Sequence, residues 1–480
     1  MLEKAYSPIE FGKKTVQFPT GMNVNFDIVG GNQFGRYPKI SSAQTFNMMI
    51  SDGFLVNFPG YKTKKMISPA QQGRGAYASK RFNHIIVVLD SNVFTVSQSF
   101  TADLIGSLNT TSGAVTIAEN LAGEIAICDG QNIYIFNYLT GGFLSPTIDF
   151  LPGYIAFQDT YFIASDRRTN QWRLSDNNNG LSWPPDAAHV GTIQSKPTNT
   201  VACIPLDKQL FIMGSNVTEP WYDVGYTLFP YQRTNYFNID YGTESPSTID
   251  AAFGMMVFLG SNERTGISLM LSMGGKAQRI SNDGLDAVFN RLTNPSDSVG
   301  FLYRIDGHIF YHLTFVTDNL TYVYDFTTKQ FYSLTDKDMN HHIARKVVFF
   351  NGKYYFISFN DGNLYELDSS IYDLDGHEMP RFRILSNIRI PSGDLFVVRN
   401  INITLEQGIS PTLQRVDISL SNDGGYSYQN VYSEKLNPYG ERPNVLNFWD
   451  LGSSNDMTIK FAFWGNDRFV VGSAAGNFYQ

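Results

Sequence analysis

Two successive histidines, His341 and His342, are the residues whose chemistry first suggests a metal site. Adjacent side chains of a strand point to opposite faces, so the two imidazoles cannot both ligate one ion without distortion. We therefore interpret them as polar loop residues. The segment Asp373-x-Asp-Gly is similar to the start of a calcium loop, but Ile371 and Phe382 stand where oxygen ligands are needed. We predict a plain turn there, and we expect no metal or other cofactor.

Two segments have the residue pattern of an Asp-box, the Ser-x-Asp-x-Gly-x-Thr-Trp hairpin turn that recurs in sialidases and other propellers. Ser421–Tyr428 matches it apart from its last two positions, and Ser175–Trp183 fits with an insertion. In such a turn, a short carboxylate accepts hydrogen bonds from backbone N–H groups while an aromatic ring packs beneath. We therefore predict that Asp423, Gly424 and Gly425 form a stabilising turn without a catalytic role.

Signatures of the common enzyme classes are missing from the sequence. It contains no P-loop, no His-Glu-x-x-His, no Gly-x-Ser-x-Gly and no Cys-x-x-Cys. Arg389-Ile-Pro391 is similar to the Arg-Ile-Pro of sialidases, which precedes the propeller there and follows the hairpins here. We predict a non-enzyme with no catalytic residues and no small-molecule substrate. The alternative is a carbohydrate-binding or sialidase-like propeller, in which arginines would converge with a tyrosine and a carboxylate at the propeller mouth.

The elements that position these residues are β-hairpins, because one module recurs: an apolar strand, a short polar turn and a strand rich in Tyr and Phe. It occurs at 125–136, 301–312 and 347–357, and in looser form at 85–96, 155–164 and 203–213. The dipeptides Asp129-Gly130, Asp306-Gly307 and Asn351-Gly352 tolerate positive φ at both central positions of a type I′ turn. Copies every 30 to 50 residues or so are typical of four-stranded propeller blades.

The patterns divide the chain into three consecutive regions. Residues 1–75 are rich in Gly, Pro and Asn and predict an extended N-terminal arm or strap that packs on an adjacent subunit or partner. Residues 76–380 predict an all-β, propeller-like domain with one short helix at Ser281–Leu292. Residues 381–480 predict a C-terminal antiparallel β-sandwich-like domain.

Composition supports packed sheets, since 14% of the 480 residues are aromatic and only 17% are charged. A net charge of -8 argues against sequence-specific binding to duplex nucleic acid but allows a channel for passing DNA. The densest basic cluster, Lys62, Lys64 and Lys65, predicts a solvated face or a subunit contact. Cys128 and Cys203 lie in apolar runs and predict buried free thiols. The sequence shows neither a secretory signal nor a membrane-spanning run, so we expect synthesis in a cytoplasm.

Several segments carry a resemblance to one protein family, in that family's order along the chain. They are Phe46-Asn-Met-Met-Ile50, Gly53-Phe-Leu-Val-Asn-Phe-Pro-Gly60, Phe211–Tyr222, Phe253–Gly260, Met273–Ser281, Val416–Gly425 and Phe448-Trp-Asp-Leu-Gly452. By these segments the chain resembles the packaged-DNA stabilization protein of short-tailed phages, the tail accessory factor that forms the tail tube or nozzle. It departs from the family where Asp450, Ser453, Ser454 and Asp456 replace the usual basic residues, so contacts through those charges are not implied.

The resemblance implies a structural virion protein of the tail, assembled in the cytoplasm of the host bacterium. It implies a self-assembled ring, usually a hexamer, that docks on the portal-adaptor ring and contacts tailspike or fibre and needle or plug proteins. Such a ring would close or extend the channel, retain packaged DNA, and pass double-stranded DNA without sequence specificity at ejection. A mildly acidic, aromatic-rich β-protein suits this role, because attractive phosphate contacts would slow the passage of DNA.

Overall fold

The computed structural model describes residues 6–11, 14–19, 21–36, 42–235, 237–389, 393–441 and 443–479. Almost every regular element in these residues is a β-strand, as the sequence predicts. The chain forms two compact units, one of residues 61–321 and 341–368, the other of residues 1–60, 322–340 and 369–480. No helix among the described residues is long and apolar enough to cross a membrane.

The first 75 residues, expected as an extended arm, supply strands to both units. The strands of this region are β1 (Tyr6–Phe11), β2 (Lys14–Pro19), β3 (Met22–Phe26), β4 (Gln44–Phe46), β5 (Met48–Ser51), β6 (Phe54–Asn57) and β7 (Gly60–Met66). β3 to β6 belong to the second unit, whereas β7 completes a sheet of the first. Met48, within the segment expected as an arm, is fully buried in β5. The described residues 22–66 are therefore integral to two folded units.

The first unit is a β-propeller. Its strands continue as β8 (Gly73–Ser79), β9 (His84–Leu89), β10 (Asn92–Val96), β11 (Ala102–Ser107), β12 (Thr116–Glu119), β13 (Glu124–Cys128), β14 (Ile133–Asn137), β15 (Phe143–Leu144), β16 (Pro152–Gln158), β17 (Tyr161–Asp166), β18 (Gln171–Leu174), β19 (Val190–Thr192), β20 (Ala202–Leu206), β21 (Gln209–Met213), β22 (Thr218–Asp223), β23 (Tyr231–Arg233), β24 (Asp250–Ala252), β25 (Met255–Asn262), β26 (Gly266–Ser272), β27 (Gln278–Arg279), β28 (Val299–Ile305) and β29 (His308–Phe315). After β30 (Leu320–Asp325) and β31 (Gln330–Ser333), which are counted with the second unit, follow β32 (Ala344–Phe350), β33 (Lys353–Ser358) and β34 (Asn363–Asp368).

Consecutive strands make the blades of this propeller. Four-stranded sheets form from β8–β11, β12–β15, β16–β19, β20–β23 and β24–β27, and β32–β34 are joined by β7. The first strands β8, β12, β16, β20, β24, β28 and β32 contact one another in this order, and β32 returns to β8. Seven blades thus close into a ring, and β28 and β29 are the first two strands of the sixth. The last blade is completed by a strand from the N-terminal region.

The second strands of the blades carry runs of consecutive apolar residues because both faces of a blade are buried. In β9, Ile86 and Val88 pack with residues of the second blade, such as Ile125. The alternate residues Ile85 and Val87 pack with the last blade. Burial of each such side chain contributes about 1.5–3 kcal/mol, and the period of two sends alternate residues to opposite neighbours.

The predicted helix is present as α1 (Asp283–Phe289), in the connection between β27 and β28. Asn282 caps it by accepting a hydrogen bond from the Leu285 amide at 2.8 Å. Leu285 and Phe289 form its buried face. Two 3-10 turns, Pro246–Thr248 and Pro295–Asp297, precede β24 and β28.

The second unit contains two sheets that share one core. Its C-terminal strands are β35 (Arg381–Ile384), β36 (Phe396–Leu405), β37 (Arg415–Ser421), β38 (Gln429–Lys435), β39 (Val445–Ser454), β40 (Thr458–Trp464) and β41 (Val470–Tyr479). One sheet has the order β31-β4-β35-β40-β37-β38, and the other has the order β39-β36-β41-β6-β5, with β3 on β41. Side chains of both sheets, such as Phe461 and Phe448, belong to one apolar cluster. This arrangement is the predicted antiparallel sandwich, extended by strands from the N-terminal region.

A buried arginine ties the N-terminal segment to this sandwich. The guanidinium of Arg383 donates to the carbonyl oxygens of Gly31 at 2.9 Å and Asp27 at 2.7 Å, and to the hydroxyl of Thr45 at 3.0 Å. Burial lowers the pKa of Arg383 to about 10. Because a buried guanidinium requires its hydrogen bonds, these contacts fix Asp27, Gly31 and Thr45 against β35.

Candidate functional site

The turns at Asp306-Gly307 and Asn351-Gly352 join the first and second strands of their blades. Asp306 and Gly307 have φ of 48° and 84°, and Asn351 and Gly352 have φ of 48° and 80°. Positive φ at both central residues is the pattern of a type I′ turn, whose twist matches that of the flanking strands.

The turn at Asp129-Gly130 differs from this expectation. Gly130 has a φ of 83°, but Asp129 is not among the described residues with positive φ. The Asp129 carboxylate instead caps a four-residue loop, accepting hydrogen bonds from the amides of Gln131 at 2.9 Å and Asn132 at 2.7 Å. The Asp129 amide donates to the Asn132 carbonyl at 3.2 Å, so Gly130 and Gln131 are the central residues. Positive φ at the first central residue alone is the pattern of a type II′ turn.

The copies also differ in their place in the blade. Segment 125–136 covers the second and third strands of its sheet, whereas 301–312 and 347–357 cover the first and second. We call the end of the propeller with the turns between first and second strands, and between third and fourth strands, the lower end. The upper end carries the turns between second and third strands and the connections between sheets. Asp129 and Gly130 therefore lie at the upper end, and the other two dipeptides at the lower end.

Asp423 lies in the turn between β37 and β38 of the second unit. The Ser421 hydroxyl donates to its carboxylate at 2.6 Å, as does the Ser427 hydroxyl, and the Ser427 amide donates at 3.0 Å. These hydrogen bonds hold the pKa of Asp423 well below its ordinary value. Gly424 and Gly425 complete the turn with φ of 78° and 90°. The contacts are those of a carboxylate-centred structural turn.

The second Asp-box segment makes a similar turn in the third blade. The Ser182 hydroxyl donates to the Asp176 carboxylate at 2.5 Å. Trp183 is buried beneath, and its indole N–H donates to the carbonyl of Gly180 at 2.8 Å. The insertion is therefore accommodated without loss of either the carboxylate contact or the aromatic contact.

The two histidines form no metal site. His342 is a core residue, not a polar loop residue: its ring lies edge-on to Tyr61 at 5.5 Å and 5.1 Å from the ring of His312. His341 instead directs Nδ1 toward the His342 carbonyl at 3.0 Å. No group of three His, Cys, Asp or Glu residues that could hold a metal occurs in the described ranges.

Other candidate residues of the sequence have structural surroundings. Asp373 accepts a hydrogen bond from the Gly376 amide at 3.0 Å within a turn. Cys128 and Cys203 are buried free thiols. Lys64 is exposed on the outermost strand β7 and pairs with Glu366 at 3.2 Å. In Arg389-Ile-Pro391, the arginine pairs with Asp456, and the other two residues lie outside the described ranges.

One cavity of the propeller lies in its channel. We call this the channel cavity; it has a volume of about 250 Å³ and is lined by the starts of the first strands, including Arg74, Tyr77, Tyr154, Asp250, Arg345 and Lys346. Because first strands start at the upper end, the cavity is at that end. Sequence reasoning missed these residues, since they come from strands far apart in the chain.

Arg74 is a structural residue of the channel wall. It is buried, and its guanidinium donates to the carbonyls of Asp90, Thr110, Ser112 and Gly113 and to the Thr110 hydroxyl, at 2.7 to 2.9 Å. These contacts use its five N–H donors. Tyr77 is likewise engaged, because its hydroxyl donates to Glu119 at 3.3 Å and burial raises its pKa. Arg74 is therefore not available to a ligand, which leaves Arg345 as the one other arginine among the residues that line the channel cavity, whereas the sialidase-like alternative requires several available arginines.

A closed seven-bladed ring with structural turns defines the class as a β-propeller protein. The family model for the β-propeller of bacteriophage P22 Gp10 matches residues 32–372. The chain belongs to this family, and it is a phage structural protein. A search of curated proteins gives no match.

Solved propeller structures are similar at low sequence identity. A streptogramin B lyase has 11% identity and a TM-score of 0.44, with 66% of this chain and 99% of that chain covered. Virginiamycin B lyase from Staphylococcus aureus has 12% identity and a TM-score of 0.42, with 66% and 99% covered. Similarities this distant carry no argument about function.

Proposed function

We propose that this chain forms a ring in the short tail of a phage, a nozzle or tail tube below the portal-adaptor ring. The ring closes or extends the channel, retains packaged DNA, and passes it at ejection. The observation that carries the proposal is membership of the P22 Gp10 family over most of the chain. The partners are other copies of the chain in a homohexamer, the adaptor ring, tailspike or fibre and needle or plug proteins, and DNA without sequence specificity. Assembly takes place in the host cytoplasm, and the protein is located in the virion tail.

The dimensions of the propeller support a ring of several copies. A water molecule takes about 30 Å³ of liquid volume, so a channel cavity of about 250 Å³ holds about eight waters and no duplex. DNA therefore has no route through a single propeller. A passage between subunits arranged around an axis provides one.

Exposed apolar side chains at the lower end of the propeller support a protein contact surface at that end. Five apolar side chains at turns of this end are 47 to 85% exposed: Leu121, Leu139, Leu228, Phe253 and Met273. Exposed apolar side chains that collect at one end of a domain mark a contact surface more often than scattered ones do. We propose that this end is covered by a neighbouring tail subunit.

Particle imaging and native mass measurement of the full chain test the ring. We expect closed rings that are multiples of 54.0 kDa, and we expect the Leu139→Ser and Leu228→Ser variants to shift toward single chains. Leu104→Ser is the control, because Leu104 is 61% exposed but lies on the outermost strand β11. A wild-type protein that stays monomeric at all concentrations contradicts the ring. Equal effects of all three variants contradict the lower end as the contact surface.

The role in DNA retention requires a test in virions. Particles that lack the protein should package DNA and then lose it, because confined DNA repels itself and leaves an open channel. Measurement of DNA per capsid over time gives the result. Stable retention without the protein contradicts the role.

A further inference from the structure

Two consecutive cations, Arg345 and Lys346, line the channel cavity. In a regular strand, successive side chains point to opposite faces. Strand β32, however, changes register against β33 between Ala344 and Lys346. A bulge of this kind adds one residue to a strand and redirects its side chain, and bulges often occur next to functional sites. The bulge therefore explains how both basic residues reach one cavity.

Arg345 has no carboxylate partner within the described part of the chain. Its Nε donates to the carbonyl of Arg74 at 3.4 Å, and its guanidinium lies 5.1 Å from the ring centre of Phe359. None of the ion pairs of the described residues, which extend to 4.0 Å, includes Arg345. Asp297 attracts it from a longer distance, while the Asp297 carboxylate accepts a hydrogen bond from the Thr317 amide at 3.0 Å.

The positive charge of the cavity exceeds its negative charge. Lys346 Nζ lies 3.4 Å from Asp250 Oδ1, and the other oxygen of Asp250 accepts from the Leu302 amide at 2.7 Å. Asp250 is the one carboxylate among the lining residues, against the three cations of Arg74, Arg345 and Lys346. Burial and the neighbouring Arg74 lower the pKa of Arg345 to about 10, which leaves it charged at neutral pH. A partly buried charge without a carboxylate partner costs free energy that an anion would recover.

The cavity has room for such an anion. Its volume of about 250 Å³ exceeds what a phosphate or a compact dicarboxylate needs. The planar guanidinium of Arg345 suits two-point binding of oxyanions, and the ammonium of Lys346 adds a point charge beside it. Arg74, held by its five donors, provides a rigid wall behind them.

We propose that the channel cavity is a binding site for a small oxyanion, a phosphate or a carboxylate, with Arg345 and Lys346 as its ligands. This site is independent of the proposed ring, since all of its residues lie within one propeller. The bound anion balances the charge of the first strands β8 and β32, where the ring of blades closes. It therefore stabilises the propeller, and the free energy of unfolding rises with the logarithm of the anion concentration once this exceeds the Kd.

Titration of the full chain with sodium phosphate, sodium malonate and sodium chloride at equal ionic strength tests this proposal. Calorimetry and thermal unfolding are the two measurements. We expect saturable heat and a concentration-dependent rise in Tm with phosphate, malonate or both, and neither effect with chloride. Phosphate alone identifies a phosphate site, and malonate alone identifies a carboxylate site. If neither phosphate nor malonate shows saturable binding at concentrations up to about 10 mM, any affinity is weaker than the millimolar range, and the proposal is overturned.

Variants assign the binding to these residues. Arg345→Gln and Lys346→Gln should each weaken the affinity at least tenfold, as the loss of one charge-assisted contact predicts. Arg304→Gln is the matched control, because Arg304 is exposed on the neighbouring first strand β28. If Arg345→Gln fails to fold, Lys346→Gln and Arg345→Lys decide the result. Wild-type affinity in the folded variants, or equal weakening by the control, overturns the assignment.

Discussion

Acidification is expected to destabilise the propeller through two buried histidines, His312 and His342. They are 1% and 5% exposed, and their rings are 5.1 Å apart. The ring of His312 stacks on Phe301 at 4.5 Å, and Nδ1 of His342 accepts a hydrogen bond from the Ala344 amide at 3.2 Å. A proton on either ring would place a cation in an apolar environment, and a proton on Nδ1 would also remove this acceptor.

The magnitude follows from the pKa of His342. Burial, followed by the neighbouring His341, lowers it to about 3, whereas an unfolded histidine has a pKa of about 6.5. A group with a depressed folded pKa contributes its full stability above about pH 6.5 and loses it as the pH falls toward 3. At about pH 5 the loss is 1.5 pKa units at 1.36 kcal/mol each, or about 2 kcal/mol. His312, whose pKa is also lowered well below its ordinary value by burial, adds to the loss.

Urea unfolding of the full chain at about pH 7.5 and about pH 5 provides the assay. The quantity to compare is the difference between the free energies of unfolding at the two pH values. An effect of a substitution that does not depend on pH cancels in this difference. We expect this difference to shrink by about 2 kcal/mol in His342→Phe. His189→Gln is the control, since it removes a partly exposed histidine of the same unit. If His342→Phe keeps the wild-type difference, or the control reduces it equally, the reasoning from burial is refuted.

Two further predictions concern the stability of the propeller, and both can be measured by urea unfolding. Trp172→Ala should lower the free energy of unfolding by about 3–5 kcal/mol, because Trp172 is fully buried and its ring centre lies 5.4 Å from that of Trp221. Trp449→Ala is the control and should change the free energy of unfolding little, because Trp449 is 57% exposed. Similar losses in the two variants contradict the packing argument. Gly307→Ala should cost about 1 kcal/mol because of its φ of 84°, and Gly142→Ala, where φ is not positive, is the control that should cost less.

The sequence predicts those elements that local chemistry determines. Asn282 and the apolar spacing after it define α1, and the Asp-Gly and Asn-Gly dipeptides mark real turns. The apolar runs with these turns correspond to the middle of each blade, because both faces of those strands are buried. The place of the copy at 125–136 within its blade could not be predicted from its turn. Asp129-Gly130 suits a turn between the second and third strands as well as one between the first and second strands.

The elements that sequence reasoning missed depend on distant partners. The outer strands β15 and β27 have two residues each and show no periodicity. Strand β41 contains Gly, Ser and Ala, which have low β propensity, and is held by pairing with β3 and β36. The channel cavity was missed for the same reason: it requires the ring of blades and the bulge at Arg345.

Completion of the last blade by β7 affects the order in which the propeller can fold during synthesis. Strand β7 is made before any blade, yet its neighbour in the sheet, β34, is the last strand of the propeller to be translated. At about 5–20 residues per second, the intervening blades take on the order of tens of seconds to synthesise. During that time β7 has no native neighbour, and the nascent polypeptide exposes open sheet edges. Chaperone capture and strand exchange between neighbouring nascent chains are thus the hazards of this topology, and the ring of blades can close only after residue 368 has been synthesised.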